Sequence, residues 1–191
     1  MMFWGAHQGG LELRTEGGAT RLRASFPYGR ETVLSGGARP RKEVITSRAF
    51  AARIETGEDI HFLAGHDYNR PLASRSAGTL TLTDTDAALM IEARIDAGTS
   101  WARDFLAAHA AGLVKGLSPG FRVAPGGERI EQRSADILRT ITGADLFEVS
   151  AVTVPAYPMA QIEARNWTAV QAANLQTLDV GLHRTLSRWR A

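Results

Sequence analysis

A mainly β fold with a few flanking helices, of the α+β class, is what this sequence predicts. Three observations predict it: many short segments in which apolar and polar residues alternate, turn residues between them, and only three stretches with helical spacing. Strands this short and this regularly spaced suggest a sandwich or barrel with helices packed outside.

In chain order, residues 1–10 (MMFWGAHQGG) are short and end in glycine, and are expected to be loosely held. Residues 11–15 and 20–26 read as strands. In the second, Leu22, Ala24 and Phe26 alternate with Arg21, Arg23 and Ser25. Residues 35–40 (SGGARP) form a loop by composition, and Val44 and Ile45 make a short strand. Thr46 or Ser47 is placed to cap a small helix through Ile54, ended by Gly57. Residues 59–65 put Ile60, Phe62 and Ala64 on one face of a half-buried strand. Residues 78–83 and 88–95 are two strands joined across the Asp84–Asp86 turn.

The spacing of Phe105, Leu106 and His109 predicts a helix over 99–111, capped by Thr99 or Ser100 and stopped at Gly112. Strands follow at 117–123, 129–133, 137–141 and 145–154, the last closed by Pro155. At the end, Thr168 with Gln171 matches a capping box. Leu175, Leu178, Leu182, Leu186 and Trp189 then recur at amphipathic spacing, with Arg184, Arg188 and Arg190 against Asp179. Such a helix packs on its own domain, docks on a partner, or lies on a membrane surface. Gly181 weakens it by about 1 kcal/mol.

Composition narrows the chemistry. The 191 residues are 44% hydrophobic and 22% charged, enough for one domain with a core. A formal charge of +2 is too small to argue for nucleic acid. With no cysteine, disulfides, thiolate zinc sites and cysteine nucleophiles are excluded. No apolar run reaches the roughly 18 residues that span a bilayer. The first residues lack a basic region followed by an apolar stretch, so no signal peptide and a soluble cytoplasmic protein are expected. His7, His61, His66, His109 and His183 are scattered without an HExxH motif, and 116–120 (GLSPG) lacks Walker spacing and its lysine. No metal or cofactor is therefore expected.

Three residues stand out as candidates for hydrolytic chemistry. His66 leaves a strand into a loop, where an imidazole can reach a cleft as a general base or simply hydrogen-bond locally. Ser118, in KGLSPGFRV, lies between Gly116 and Gly120. Glycines let a substrate carbonyl approach and supply oxyanion donors, and they also mark ordinary turns. A serine nucleophile is expected to be exposed. Glu148, in LFEVSAVTVPAYP, shares a face by alternation with Leu146, Ser150 and Val152, opposite Phe147, Val149 and Ala151. A carboxylate among apolar neighbours needs an imidazolium or an arginine as partner. A Ser–Lys pair using Lys115 is opposed by its odd spacing from Ser118, which places the two on opposite faces of a strand.

The ordered set xxLxxHD, GTLxLxxxxxxLxxxAxI, a helix, GLSPGF and LFEVSAVTVPAYP, over about residues 19–165, resembles the tailed-phage (caudovirus) prohead serine protease family. The segment 43–50 (EVITSRAF) is similar to one that usually ends Gly-Ala-Phe in the family, with Arg48 in place of the glycine. The resemblance implies that His66 is the general base, Ser118 the nucleophile and Glu148 the third member, with Asp145 as its rival. It implies a closed β-barrel like that of the herpesvirus assembly proteases, with helices outside. Pro119 departs from the family pattern and removes one oxyanion donor, leaving the N–H of Gly120 or the side chain of Arg122. The implied domains are a flexible 1–10, a protease domain at 11–165 and a docking or self-cleaved helix at 166–191. The implied role is capsid maturation: cleavage of scaffold or of the scaffolding segment of the major capsid protein, inside the prohead of a phage or gene-transfer particle, in the bacterial cytoplasm. A homo-oligomer, such as a dimer, needing neither nucleic acid nor membrane, is the implied assembly. A catalytically inactive assembly factor of the same fold is the alternative.

Overall fold

The computed structural model describes residues 11–16 and 19–154. The expectations for 1–10, for 155–165 and for the helix at 166–191 lie outside the described residues. Within them the class is as expected, mainly β with few helices. The elements are β1 (Leu11–Glu16), β2 (Ala19–Pro27), β3 (Thr32–Ser35), β4 (Arg41–Ile45), α1 (Ala51–Glu55), β5 (His61–Ala64) and β6 (Asp67–Ser74). Next come β7 (Leu80–Asp84), β8 (Ala88–Ile95), α2 (Ser100–Ala110), β9 (Gly116–Val123), β10 (Glu128–Gln132), β11 (Ile137–Ile141) and β12 (Ala144–Val152). No helix among the described residues is long and apolar enough to cross a membrane.

The strands pair into three four-stranded sheets, ordered β1-β2-β8-β7, β10-β11-β4-β3 and β6-β5-β12-β9. None of the three closes on itself, so the strand pairing by itself forms no barrel. All three feed one core. Leu22, Phe26, Leu89 and Ile91 enter it from the first sheet, Ile45 and Ile141 from the second, and Phe62, Leu117, Leu146 and Val149 from the third. The alternation read from β2 and β8 is the burial alternation: Leu22, Ala24, Phe26, Leu89, Ile91, Ala93 and Ile95 are buried. Phe50 links the sheets, with ring centroids 6.4 Å from Phe26, 6.2 Å from Tyr28 and 5.6 Å from Phe121. Fully burying such a ring contributes about 1.5–3 kcal/mol.

Several elements differ from expectation, each for a physical reason. β6 carries Pro71, which argues against a strand, but it is an edge strand with irregular register against β5, where a missing N–H is tolerated. β3 is another edge strand of only four residues. The first helix starts at Ala51, with Phe50 at its N-cap position and no side-chain cap. Arg48 blocks an earlier start because its φ is +56, in the left-handed region that favours glycine. Thr46, expected as a cap, instead donates through Oγ1 to the Ile141 carbonyl at 3.1 Å, tying this turn to β11. The second helix is capped as expected, by Thr99 accepting from the Ala102 N–H, with Gly112 at φ +71 beyond its end.

One part-buried polar pair reaches across the first sheet. The Tyr28 hydroxyl donates to Asp84 Oδ1 at 2.7 Å. Burial, then the hydrogen bond and charge of Asp84, push the phenol well above its ordinary 10.0. Asp84 is itself raised, chiefly by burial. A phenol raised in the folded state contributes stability below its unfolded value, and that stability is lost as pH climbs past it. Tyr28→Phe should therefore cost about 1–3 kcal/mol at pH 8, since the bond is to a carboxylate. By pH 11 the gap from wild type should narrow by about 1.4 kcal/mol, one unit above the unfolded phenol value. Urea denaturation at the two pH values checks this, and a gap that widens contradicts it.

Candidate active site

β12 is the strand that assembles the site. It runs parallel to β5 on one side and antiparallel to β9 on the other. Its register opposes Glu148 to Gly120 and Ser150 to Ser118 on β9. Directly opposed residues in an antiparallel pair face the same side, so these four positions form one patch.

Phe147 makes that patch possible. The register shifts between Leu146 and Glu148, which pair with Phe121 and Gly120 respectively. Phe121 and Gly120 are neighbours and face opposite sides, so Leu146 and Glu148 do too. Simple alternation, which put these two residues on one face, fails because a bulge inserts Phe147. Leu146 joins Val149 and Ala151 in the core, while Glu148 and Ser150 turn to the other face. Phe147 itself carries the Arg53 guanidinium 4.1 Å and the Arg122 guanidinium 5.3 Å from its ring centre.

His66 arrives from the end of β5. Ala64 pairs with Asp67, and the two residues between them, Gly65 and His66, have φ of +66 and +62. That is the backbone of a type I′ two-residue hairpin loop, unusual for a histidine at its second position. The strain is held by hydrogen bonds to β12. The Gly65 N–H donates to the Ala151 carbonyl at 3.0 Å, and the His66 N–H to Ser150 Oγ at 3.0 Å. The imidazole Nδ1 then lies 2.7 Å from Glu148 Oε1. Glu148 is 3% exposed. Its other oxygen, Oε2, accepts from the Ser150 hydroxyl at 2.5 Å. Its charge is felt nearby: the Tyr68 phenol is pushed up by burial and then by Glu148.

Gly120 has a steric reason to be glycine, because any Cβ there would collide with Glu148 Oε1. Ser118 is 0% exposed, against the expectation of an exposed serine. It sits inside a paired strand rather than in a glycine turn. Ser118 Oγ and His66 Nε2 are both buried without a hydrogen-bond partner. Buried polar atoms left unpaired cost about 1–3 kcal/mol each, and a catalytic role is one of the reasons a structure retains them. With Nδ1 directed at a carboxylate, Nε2 is the nitrogen left to accept a proton.

Among the other candidates, Asp145 lies opposite Arg122 on β9, before the bulge, and the carboxylate that meets His66 is Glu148. Arg122 is exposed. The Lys115 side chain lies over Gly112, its Cε 3.3 Å from where a Cβ would stand. Ser150 is the polar residue the sequence reading left without a role. Its signal was a hydroxyl two residues from Glu148 on a strand whose other residues, apart from Asp145, are apolar.

Gly120→Ala should destabilise the chain by about 1–3 kcal/mol, the usual penalty for overpacking. In a chain already carrying Glu148→Ala the same change should cost much less. Chemical denaturation of the two single variants and the double variant gives the coupling, and simple additivity would contradict the close approach.

No curated protein and no solved structure matches this chain. A family model does: Caudovirus prohead serine protease, over residues 26–174. That span covers β3 to β12 and all the residues just described. With a match over most of its length, the chain belongs to the caudovirus prohead serine protease family.

Proposed function

We propose that the chain is the serine endopeptidase of capsid maturation, with Ser118 as nucleophile, His66 as general base and Glu148 as the carboxylate that orients it. The observation that carries this reading is the His66–Glu148 contact, 2.7 Å from Nδ1 to Oε1, beside a serine on the same face whose hydroxyl has no other partner. In this mechanism Glu148 accepts a hydrogen bond from the Nδ1–H, which stays on the ring, and so holds the imidazole in one tautomer. Nε2 takes the Ser118 proton as Oγ attacks a peptide carbonyl. The imidazolium returns it to the leaving amine, and water then clears the acyl-enzyme by the same relay. The oxyanion is assigned to the Gly120 N–H or to Arg122, since Pro119 has no N–H to give.

The proposed substrate is scaffold or the scaffolding segment of the major capsid protein, cut inside the assembling shell in the bacterial host, with self-cleavage and a dimer as further parts of the reading. The closed barrel implied by the resemblance belongs to it as well, with the three sheets joined around their shared core. A specific observation favours the rival, an inactive assembly factor: Ser118 is covered, and no hydrogen bond joins it to His66. Catalytic hydrogen bonds are often long before substrate binds, and site opening is a common slow step, so the covered serine is compatible with a gated enzyme.

Reaction with a fluorophosphonate separates the two. The protease should be labelled at Ser118 and not in Ser118→Ala. Co-expression with the major capsid protein should show loss of a capsid segment by mass spectrometry, abolished by Ser118→Ala and reduced about 10⁴-fold by Glu148→Gln, which disturbs the imidazole tautomer. Intact capsid protein with wild-type chain present, and no label, would establish the assembly factor instead.

The amphipathic segment at 166–191 is proposed as a docking arm. Deleting residues 167–191 should leave Ser118 labelling intact while the chain is lost from purified shells. Normal incorporation of the truncated chain, read by immunoblot of the shells, refutes the arm.

A further inference from the structure

We propose that Ser150 is a positioning residue of this site: its single hydroxyl fixes both the Glu148 carboxylate and the His66 backbone, and so aims Nε2 at Ser118. The inference rests on the protease reading above and adds a fourth residue to it. Ser150 is 0% exposed. Its hydroxyl donates to Glu148 Oε2 at 2.5 Å and accepts from the His66 N–H at 3.0 Å. Glu148 Oε1 in turn meets His66 Nδ1 at 2.7 Å. The contacts close a ring, from the His66 backbone through Ser150 and Glu148 to the His66 imidazole.

Each arc of that ring removes a freedom the chemistry cannot tolerate. A carboxylate held at one oxygen can rotate about its last bond; held at both, it presents Oε1 in one direction. His66 has a φ of +62, which a histidine adopts only when its surroundings enforce it, and the bond to Ser150 holds its N–H. Ser150 also sorts the two serines. Ser150 and Ser118 are direct cross-strand partners, so both lie near the carboxylate. A hydroxyl has one proton, and that of Ser150 is committed to Glu148. Ser118 Oγ alone of the two is uncommitted. Alanine at 150 would leave Glu148 Oε2 and the His66 N–H bare, while threonine keeps donor and acceptor together.

The test is the rate of Ser118 labelling by a fluorophosphonate on the full chain, separated into its maximal rate and its half-saturating probe concentration. Ser150→Ala should lower the maximal rate about 10²-fold, the scale of a small misplacement of reacting groups, and leave half-saturation unchanged. Ser150→Thr should recover at least about a tenth of the wild-type rate, because the hydroxyl is retained. In a Glu148→Gln chain, adding Ser150→Ala should cost less than about tenfold further, because residues acting as a unit are not additive. Should the alanine variant fail to fold, Ser150→Cys keeps the volume with a weak donor and should show the same loss. A wild-type rate in Ser150→Ala, an equal loss in both backgrounds, or label on Ser150 itself would overturn the positioning role. Failure of the wild type to label Ser118 would instead overturn the protease reading, so the two failures are distinct.

Discussion

A carboxylate buried among strands has to be satisfied or protonated, and the region around Glu148 is arranged to satisfy it. Leaving one ion of this kind unpaired in an apolar setting costs several kcal/mol. Glu148 has two partners, the His66 ring at 2.7 Å and the Ser150 hydroxyl at 2.5 Å. Those contacts require three local features at once. A bulge at Phe147 turns the side chain off the core face. A glycine opposite, at 120, leaves room for the carboxylate. A tight turn after β5 carries a histidine in a left-handed backbone conformation back over β12.

These demands explain why β12 sits inside its sheet. A central strand with a parallel neighbour and an antiparallel one can take a histidine from one side and a serine from the other. The core elements hold that strand in place. α1 packs on β12, and Phe50, just ahead of α1, lies tilted between aromatic rings of two different sheets. The two faces of the strand thus differ: Leu146, Val149 and Ala151 face the core, and Glu148 and Ser150 face the candidate site.

Much of this was legible in the sequence, and the exceptions are instructive. Strands with strict alternation, such as 20–26 and 88–95, lie where the period placed them, because one face is buried and the register has no freedom. The capped helix near residue 100 was equally plain, since Thr99 and Gly112 mark its ends. Edge strands β3 and β6 were not legible, because an edge strand needs little apolar patterning and tolerates Pro71. The bulge at Phe147 was invisible for a different reason. Alternation assumes an unbroken ladder, and only the partner strand reveals the extra residue. His66, Ser118 and Glu148 were each ambiguous from their own neighbours. What raised them above ordinary loop and strand residues was the order of motifs along the chain; the match over residues 26–174 shows the family that this order implies, and the roles of the three residues are proposals. The strand holding Ser118 was legible at 117–123, but its burial was missed because a serine nucleophile is expected to be exposed.

The tautomer of His66 tests most directly whether Glu148 governs the site. With ¹⁵N-labelled histidine, nuclear magnetic resonance distinguishes a proton on Nδ1 from one on Nε2. In its neutral form the His66 ring should carry its proton on Nδ1, shifted far downfield by the carboxylate, with Nε2 bare, and that downfield proton should vanish in Glu148→Gln. A proton on Nε2 in the wild type, or a downfield signal unchanged by the glutamine, would contradict the whole arrangement.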